Sequence, residues 1–264
     1  MQLEKVVNQV FAYDGNFSEY RKQPHGAPVG IQSGDRFVIS IQTHDQVGNR
    51  ARGERLSQLA SFNCLRFSAA LMLLSPYIPM LFMGEEYGES NPFPFFCDFT
   101  DEKLREAVRE GRRREFAQFE WPHEIPDPLA ESTFESAKLT WDWLSRSQAD
   151  CLRQLYRDLL NARRNWPALR DFQHREAHLV TAARGEPVLK IIRGSADCPN
   201  EQIEAYFNHG QATVVLGGMS RPRDEILLST EDLKYGGWKR SFRLSWDLSP
   251  FECIVIRRGQ EASK

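Results

Sequence analysis

The amino-acid sequence predicts a mixed chain, an α/β segment followed by an all-β domain, and three observations carry that expectation. Residues 37–42 form a nearly continuous apolar, β-branched run, the pattern of a strand buried on both faces in a parallel sheet. A long helical periodicity and a second short apolar run over 78–83 follow it, and the order strand, helix, strand describes a βαβ unit. After His174 the texture changes to short β-like runs separated by turns.

Taken in order, residues 3–11 place Leu3, Val6, Val7 and Val10 on one face and read as the end of a helix, opening onto a Gly/Pro-rich loop over 14–35. Between Glu54 and Ser75 the apolar positions Leu56, Leu59, Phe67, Leu71 and Leu74 recur at helical spacing. They predict one long, largely buried helix that Pro76 and Pro79 forbid from continuing. A charged helix over 101–119 is expected to be capped by Thr100, with Asp101 and Glu102 in a first turn where the dipole favours them. Its Arg112-Arg113-Arg114 run reads as a solvated face with pairs such as Glu110 and Arg114. Residues 122–128 read as a loop, and 145–165 as an amphipathic helix that Pro167 stops. The β-like runs fall at 178–183, 187–193, 203–208, 212–216, 242–246 and 253–257, with Arg184-Gly185-Glu186 as a hairpin turn between the first two. A boundary near Phe172 then divides residues 1–171 from a small antiparallel β-sandwich over 172–264.

Composition narrows the function. Apolar residues at 41% and charged residues at 27% suit a soluble globular chain, and a net charge of -2 supplies no cationic field for phosphate backbones, so nucleic acid is not an expected partner. The five cysteines are an odd count at wide spacings, without the pairs of a zinc site or the density of a disulfide scaffold, and read as reduced thiols in a cytoplasm. Neither a signal-peptide pattern nor an apolar run long enough for a bilayer occurs, so membrane attachment is not expected.

His44-Asp45 is the most informative pair, because it stands just past a predicted parallel strand, where α/β barrels place functional groups. Asp45 could hold a pair of sugar hydroxyls or stabilise positive charge at an anomeric carbon, and His44 could donate to a hydroxyl. Equally, Asp45 could cap the turn through Val47 and Gly48 while His44 packs under a loop. Asn49 and Arg50 could orient Asp45 or contact sugar, or simply stabilise the turn. Tyr87, Phe93, Phe95 and Phe96 offer aromatic faces of the kind that stack on glucose rings, or else cover core. Trp141, Trp143 and Trp166 are expected to pack.

Residues Phe37 to Arg50, containing Gln42-Thr43-His44-Asp45-Gln46-Val47-Gly48-Asn49, together with Gly53-Glu54-Arg55-Leu56, resemble the fourth conserved region of the α-amylase superfamily in its trehalohydrolase form. Residues 81–88, 92–99 and 109–116 resemble later blocks of the same family in the same order, and residues 10–15, Tyr20-Arg21 and His25-Gly26 fit as well. The likeness spans most of the first 170 residues and is looser in the β-rich tail. It implies the C-terminal part of a (β/α)8 TIM barrel, strands seven and eight with flanking helices, then the β-sandwich. It also implies a retaining glycoside hydrolase that cleaves the α-1,4 bond next to the terminal trehalose of maltooligosyl trehalose. Asp45 would be the transition-state stabiliser, with His44, Gln46, Asn49, Arg50, Tyr87, Phe93, Phe95 and Phe96 as substrate contacts. No metal and no cofactor are implied. Glu85 and Glu86 would support the strand-eight loop. Thr43 departs from the family's usual Asn and loses the amide's paired donor and acceptor.

Retaining glycosidases need a nucleophile and a general acid about 5 Å apart, and the family carries both upstream of the His-Asp block. Only 36 residues precede Phe37 here, and their acidic members Glu4, Asp14, Glu19 and Asp35 follow no strand. The expectation is therefore an inactive isolated chain with open apolar strand edges and an N-terminal barrel fragment as partner. A glucan branching enzyme or other α-glucan transferase, and a noncatalytic half of a split enzyme, are the alternatives.

Overall fold

The computed structural model describes residues 2–117, 125–141, 143, 147–199, 201–217, 224–240 and 246–259. Their elements are α1 (Gln2–Gln9), β1 (Asp14–Ser18), β2 (Gln23–Gly26), β3 (Val38–Ile39), α2 (His44–Gly48), α3 (Leu56–Leu59), α4 (Phe62–Leu74) and β4 (Ile78–Pro79). After these come α5 (Glu102–Ala117), α6 (Glu131–Ser136), α7 (Ser147–Asn165), α8 (Pro167–Arg170), β5 (Arg175–Thr181), β6 (Pro187–Arg193) and β7 (Ile203–Phe207). The last four are β8 (Val214–Val215), β9 (Glu225–Ser229), β10 (Asp247–Leu248) and β11 (Cys253–Arg257). The expected strand over 242–246 lies outside the described residues except for Trp246, as do the end of the expected 101–119 helix and the start of the 122–128 loop. Among the described residues no helix is long and apolar enough to cross a membrane, and none of the five cysteines forms a disulfide.

The chain forms two compact units. One comprises Met1–Ile39, Arg66–Met80 and Cys151–Lys264, the other Ser40–Leu65 and Leu81–Asp150. In the first, β3 and β4 pair in parallel, Val38 against Ile78 and Ile39 against Pro79, as a βαβ order requires. The strand expected over 37–42 is much shorter than predicted and is not buried on both faces: Val38 is 63% exposed and Met80 46%. The physical reason is a missing neighbour, since β4 is the one strand hydrogen-bonded to β3 among the described residues and the outer edges stay open. The region expected as a plain loop over 14–35 contains the antiparallel hairpin β1-β2, with Phe17 opposite Pro24 and Ser18 opposite Gln23.

The β-rich part is a five-stranded antiparallel sheet in the order β5-β6-β7-β11-β9, beside a two-stranded pair β10-β8. Val188, Tyr206, Ile254 and Ile256 of the large sheet and Val214 and Leu248 of the small one share a single buried cluster. The turn after β5 is closed by the Ala182 N–H, which donates to Glu186 O at 2.8 Å, with Gly185 at φ +97 as the expected hairpin turn.

Two polar assemblies are buried in this unit. The last carbonyls of α4, which have no helical partner, and those just beyond it are taken by arginines: Arg163 donates to Leu73 O, Ser75 O and Tyr77 O at 2.7, 2.9 and 2.7 Å, and Arg193 to Leu74 O at 2.8 Å. Burial, with Arg163 close by, pulls the Arg193 guanidinium down to about 9. Beside the sheet, Arg66 Nη2 meets Glu231 Oε1 at 2.5 Å and Lys239 Nζ meets Glu252 Oε2 at 2.6 Å. Glu252 also accepts from Ser229 Oγ and the Ser249 N–H, both at 2.7 Å.

In the second unit, the single helix expected over 54–75 is interrupted. Ala60 is extended (φ -118, ψ 154) and separates α3 from α4. Asp101, not Thr100, caps the charged helix, its Oδ1 accepting from the Lys103 and Leu104 N–H groups at 2.8 and 3.2 Å. In the first unit α7 ends at Asn165, ahead of Pro167 as expected, and Pro167 then opens the short α8 at its first turn, where a missing N–H costs nothing.

Candidate functional site

Thr43 starts the site. Its backbone is extended, and its hydroxyl accepts from the Gln46 N–H at 3.3 Å, which makes it the N-cap of α2. The role of Asp45 as turn cap is thereby taken by its neighbour, and Thr43 retains the capping function that an Asn would also supply. His44 and Asp45 are both open to solvent, with side chains 71% and 78% exposed and His44 Nε2 3.2 Å from Asp45 Oδ1. Packing of His44 under a loop is excluded. Gln46 and Asn49 are exposed, and the Asn49 N–H donates to Asp45 O at 3.1 Å. Arg50 turns to Glu54, Nε to Oε2 at 3.3 Å, rather than to Asp45.

The far end of α2 is held by α5. Arg112, read from the sequence as part of a solvated face, has a side chain only 13% exposed. Its Nη2 donates to Gly48 O at 3.0 Å, and its guanidinium lies 5.1 Å from the Phe95 ring centroid and 4.8 Å from that of Phe116. Arg114 donates to the Glu110 carbonyl at 3.4 Å, not to its carboxylate.

The aromatic block sits against the same segment. The Phe93 N–H donates to Gly53 O at 2.7 Å, and Phe82, Phe93, Phe96 and Phe134 form a chain of edge-on rings with centroids 5.3, 5.8 and 5.3 Å apart. Phe93 and Phe96 are half-buried in this chain of rings, while Phe95, 40% exposed, and Phe134, 42% exposed, reach the surface. Tyr87 is buried, its ring tilted 47° against Trp143 with centroids 5.4 Å apart, and its hydroxyl donates to Glu89 Oε2 at 3.1 Å. Burial and the Glu89 charge push that phenol well up.

Two residues that sequence reasoning passed over organise this ground. Arg55 is 1% exposed, donates to Asn91 O at 2.7 Å and Met83 O at 2.8 Å, and stands over the Phe82 ring at 4.8 Å. Burial lowers its pKa, opposed by Glu89. Glu89 is equally buried and accepts from the Asn91 N–H at 2.8 Å and the Thr140 N–H at 2.7 Å. The signal for Arg55 was its place in the Gly53-Glu54-Arg55-Leu56 motif, a cation at the start of an apolar helical run. Gly53 has φ +67, and a Cβ there would overlap the backbone of Phe93 and Pro94. Gly53→Ala is expected to cost about 2 kcal/mol from the left-handed backbone and the clash, read as a lower urea midpoint; an unchanged midpoint would contradict this packing.

No family model matches the chain. Among curated proteins it is 42% identical over 260 residues to the malto-oligosyltrehalose trehalohydrolase of Rhizobium sp. M-11, covering 97% of this chain and 41% of that protein. The chain is homologous to part of the malto-oligosyltrehalose trehalohydrolases. The Saccharolobus solfataricus trehalohydrolase is 47% identical over 162 residues (61% of this chain, 27% of that protein), and that of Deinococcus radiodurans 38% over 237 (87% and 38%). A crystal structure from Salmonella typhimurium, described as an α-amylase, superposes with a TM-score of 0.77 at 33% identity, over 97% of this chain and 41% of that one. The chain therefore spans between about a quarter and two fifths of the length of these trehalohydrolases.

Proposed function

We propose that this chain is the C-terminal portion of a retaining glycoside hydrolase that cleaves the α-1,4 bond next to the terminal trehalose of maltooligosyl trehalose and releases trehalose. Residues 1–171 are then the end of a (β/α)8 barrel and 172–264 a β-sandwich. The observation that carries the reading is the His44-Asp45 pair. Thr43 and Arg112 bind groups at the two ends of α2, and the two functional side chains are left solvent-exposed, with each other as polar contact among the described residues. Such a carboxylate can face positive charge at an anomeric carbon while the imidazole holds a neighbouring hydroxyl. Asn49 and Gln46 flank the pair, and Phe95 offers the exposed ring for a sugar face.

The nucleophile and general acid are supplied, on this reading, by a segment bearing barrel strands one to six. The open edges of β3 and β4 and exposed Val38 and Met80 favour such a partner. Mixing the chain with that segment is expected to restore trehalose release from maltooligosyl trehalose, with none from the chain alone. Activity of the chain alone that survives Asp45→Ala would sink the reading, and new branch points in place of free trehalose would shift it to a glucan transferase.

A further inference from the structure

A polar hollow lies in the first unit, in the flank of α7. Its volume is about 250 Å³, and it is walled on one side by Asp158, Asn161 and Asn165 of α7 with Trp166 at the helix end. Leu227 and Leu228 of β9 and the turn residues Lys234 and Tyr235 form the other side. The helix positions are three and four apart and so share one face. Between them Ala162, 4% exposed, has the small side chain that leaves the space open.

The polar groups here fall into two sets. Asp158 is fixed: Tyr235 OH and Lys234 Nζ donate to Oδ2 at 2.8 and 3.0 Å, and Gln154 Nε2 donates to Oδ1 at 2.8 Å. Burial opposes its charge, but these hydrogen bonds outweigh burial and hold the carboxyl below the usual range. The other set is unengaged. Asn161 and Asn165 carry donor and acceptor together, and the half-buried Trp166, an aromatic side chain with an indole N–H, lines the hollow with them; no side-chain hydrogen bond engages the three among the described residues. Paired donors and acceptors beside an aromatic face match a sugar, whose ring has apolar faces and an equator of hydroxyls that donate and accept at once. The volume lies just under the roughly 300–1,000 Å³ of drug-sized sites, which suits one glucosyl ring at a chain end rather than a buried oligosaccharide.

We infer that this hollow binds a terminal glucosyl unit of an α-1,4-glucan, as a holding site separate from the His44-Asp45 pair. The choice of an α-glucan rests on the proposed function. Maltoheptaose titrated into the chain, followed by calorimetry, tests it. Saturable binding is expected, weakened at least tenfold by N161A/N165A and by W166A and unchanged by E19A, an exposed residue outside the hollow. The asparagine pair is exposed, so that double variant should keep the wild-type circular dichroism and melting temperature even if the tryptophan variant does not fold. Wild-type affinity in N161A/N165A, loss of binding in E19A, or no saturable binding by the wild type overturns the inference. Equal binding of cellohexaose overturns the α-linked choice. If the hollow fails while trehalose is still released by the reassembled enzyme, the proposed reaction stands without it; binding here with no hydrolysis after reassembly removes the reaction and leaves the site.

Discussion

Replacing Glu252 by alanine is expected to lower the unfolding free energy by about 3–5 kcal/mol, the usual cost of stranding one half of a buried ion pair. The side chain is wholly buried and answers three donors at once, Lys239 Nζ at 2.6 Å and Ser229 Oγ and the Ser249 N–H at 2.7 Å each. Removing it leaves the Lys239 ammonium, 5% exposed, with the Asp247 carbonyl and, as its nearest carboxylate, a Glu231 already paired with Arg66. Since ordinary domains hold only about 5–15 kcal/mol in total, this single change should bring the first unit close to unfolding. Urea denaturation followed by circular dichroism reads the loss. Pairing Glu252→Leu with Lys239→Met should recover much of it, because the desolvated charge disappears with its partner. A loss below about 1 kcal/mol for the alanine variant would mean that water reaches Lys239 and that the pair is not buried as described.

Asp45→Asn in the enzyme reassembled from both segments is expected to reduce kcat by about a thousandfold while KM changes little, the size of effect seen when one electrostatic stabiliser of a developing charge is removed. The substitution keeps the shape and the contact to His44 but removes the charge. At 78% exposure the side chain holds nothing together, so the variant's urea midpoint should match the parent's. Steady-state kinetics on maltooligosyl trehalose separates the outcomes. Equal rises in KM with kcat preserved would reassign Asp45 to ground-state sugar binding.

Much of the framework was legible where local chemistry decides it. The strands over Pro187–Arg193 and Cys253–Arg257 are β-branched runs that fall where the periodicity puts them, and Gly185 stands at the turn that needs its positive φ. The parallel pairing of β3 with β4 also follows from strand order. What escaped depends on partners distant in the chain. Arg112 and its neighbours look like a solvated run until Gly48 O and two phenylalanine rings are brought to it. Arg55 looks like a surface cation until the loop over 83–91 wraps its guanidinium. The hairpin β1-β2 has few β-branched residues, and β9, rich in leucine, carries no alternation to mark it. In the candidate site the motif located the His44-Asp45 pair but left its exposure open, and the differing exposure of the phenylalanines was not legible, because ring-to-ring contact sets it.

The unpaired margins of β3 and β4 also govern how this polypeptide behaves in a test tube. A backbone margin with free N–H and C=O groups, beside Val38 and Met80, is a template on which a second copy can lay its own strand. Crowding the solution then favours clumping, and heating a concentrated sample should cloud it before a dilute one. Purification at low concentration, with a mild detergent covering the apolar margin, follows as the practical regime for handling it.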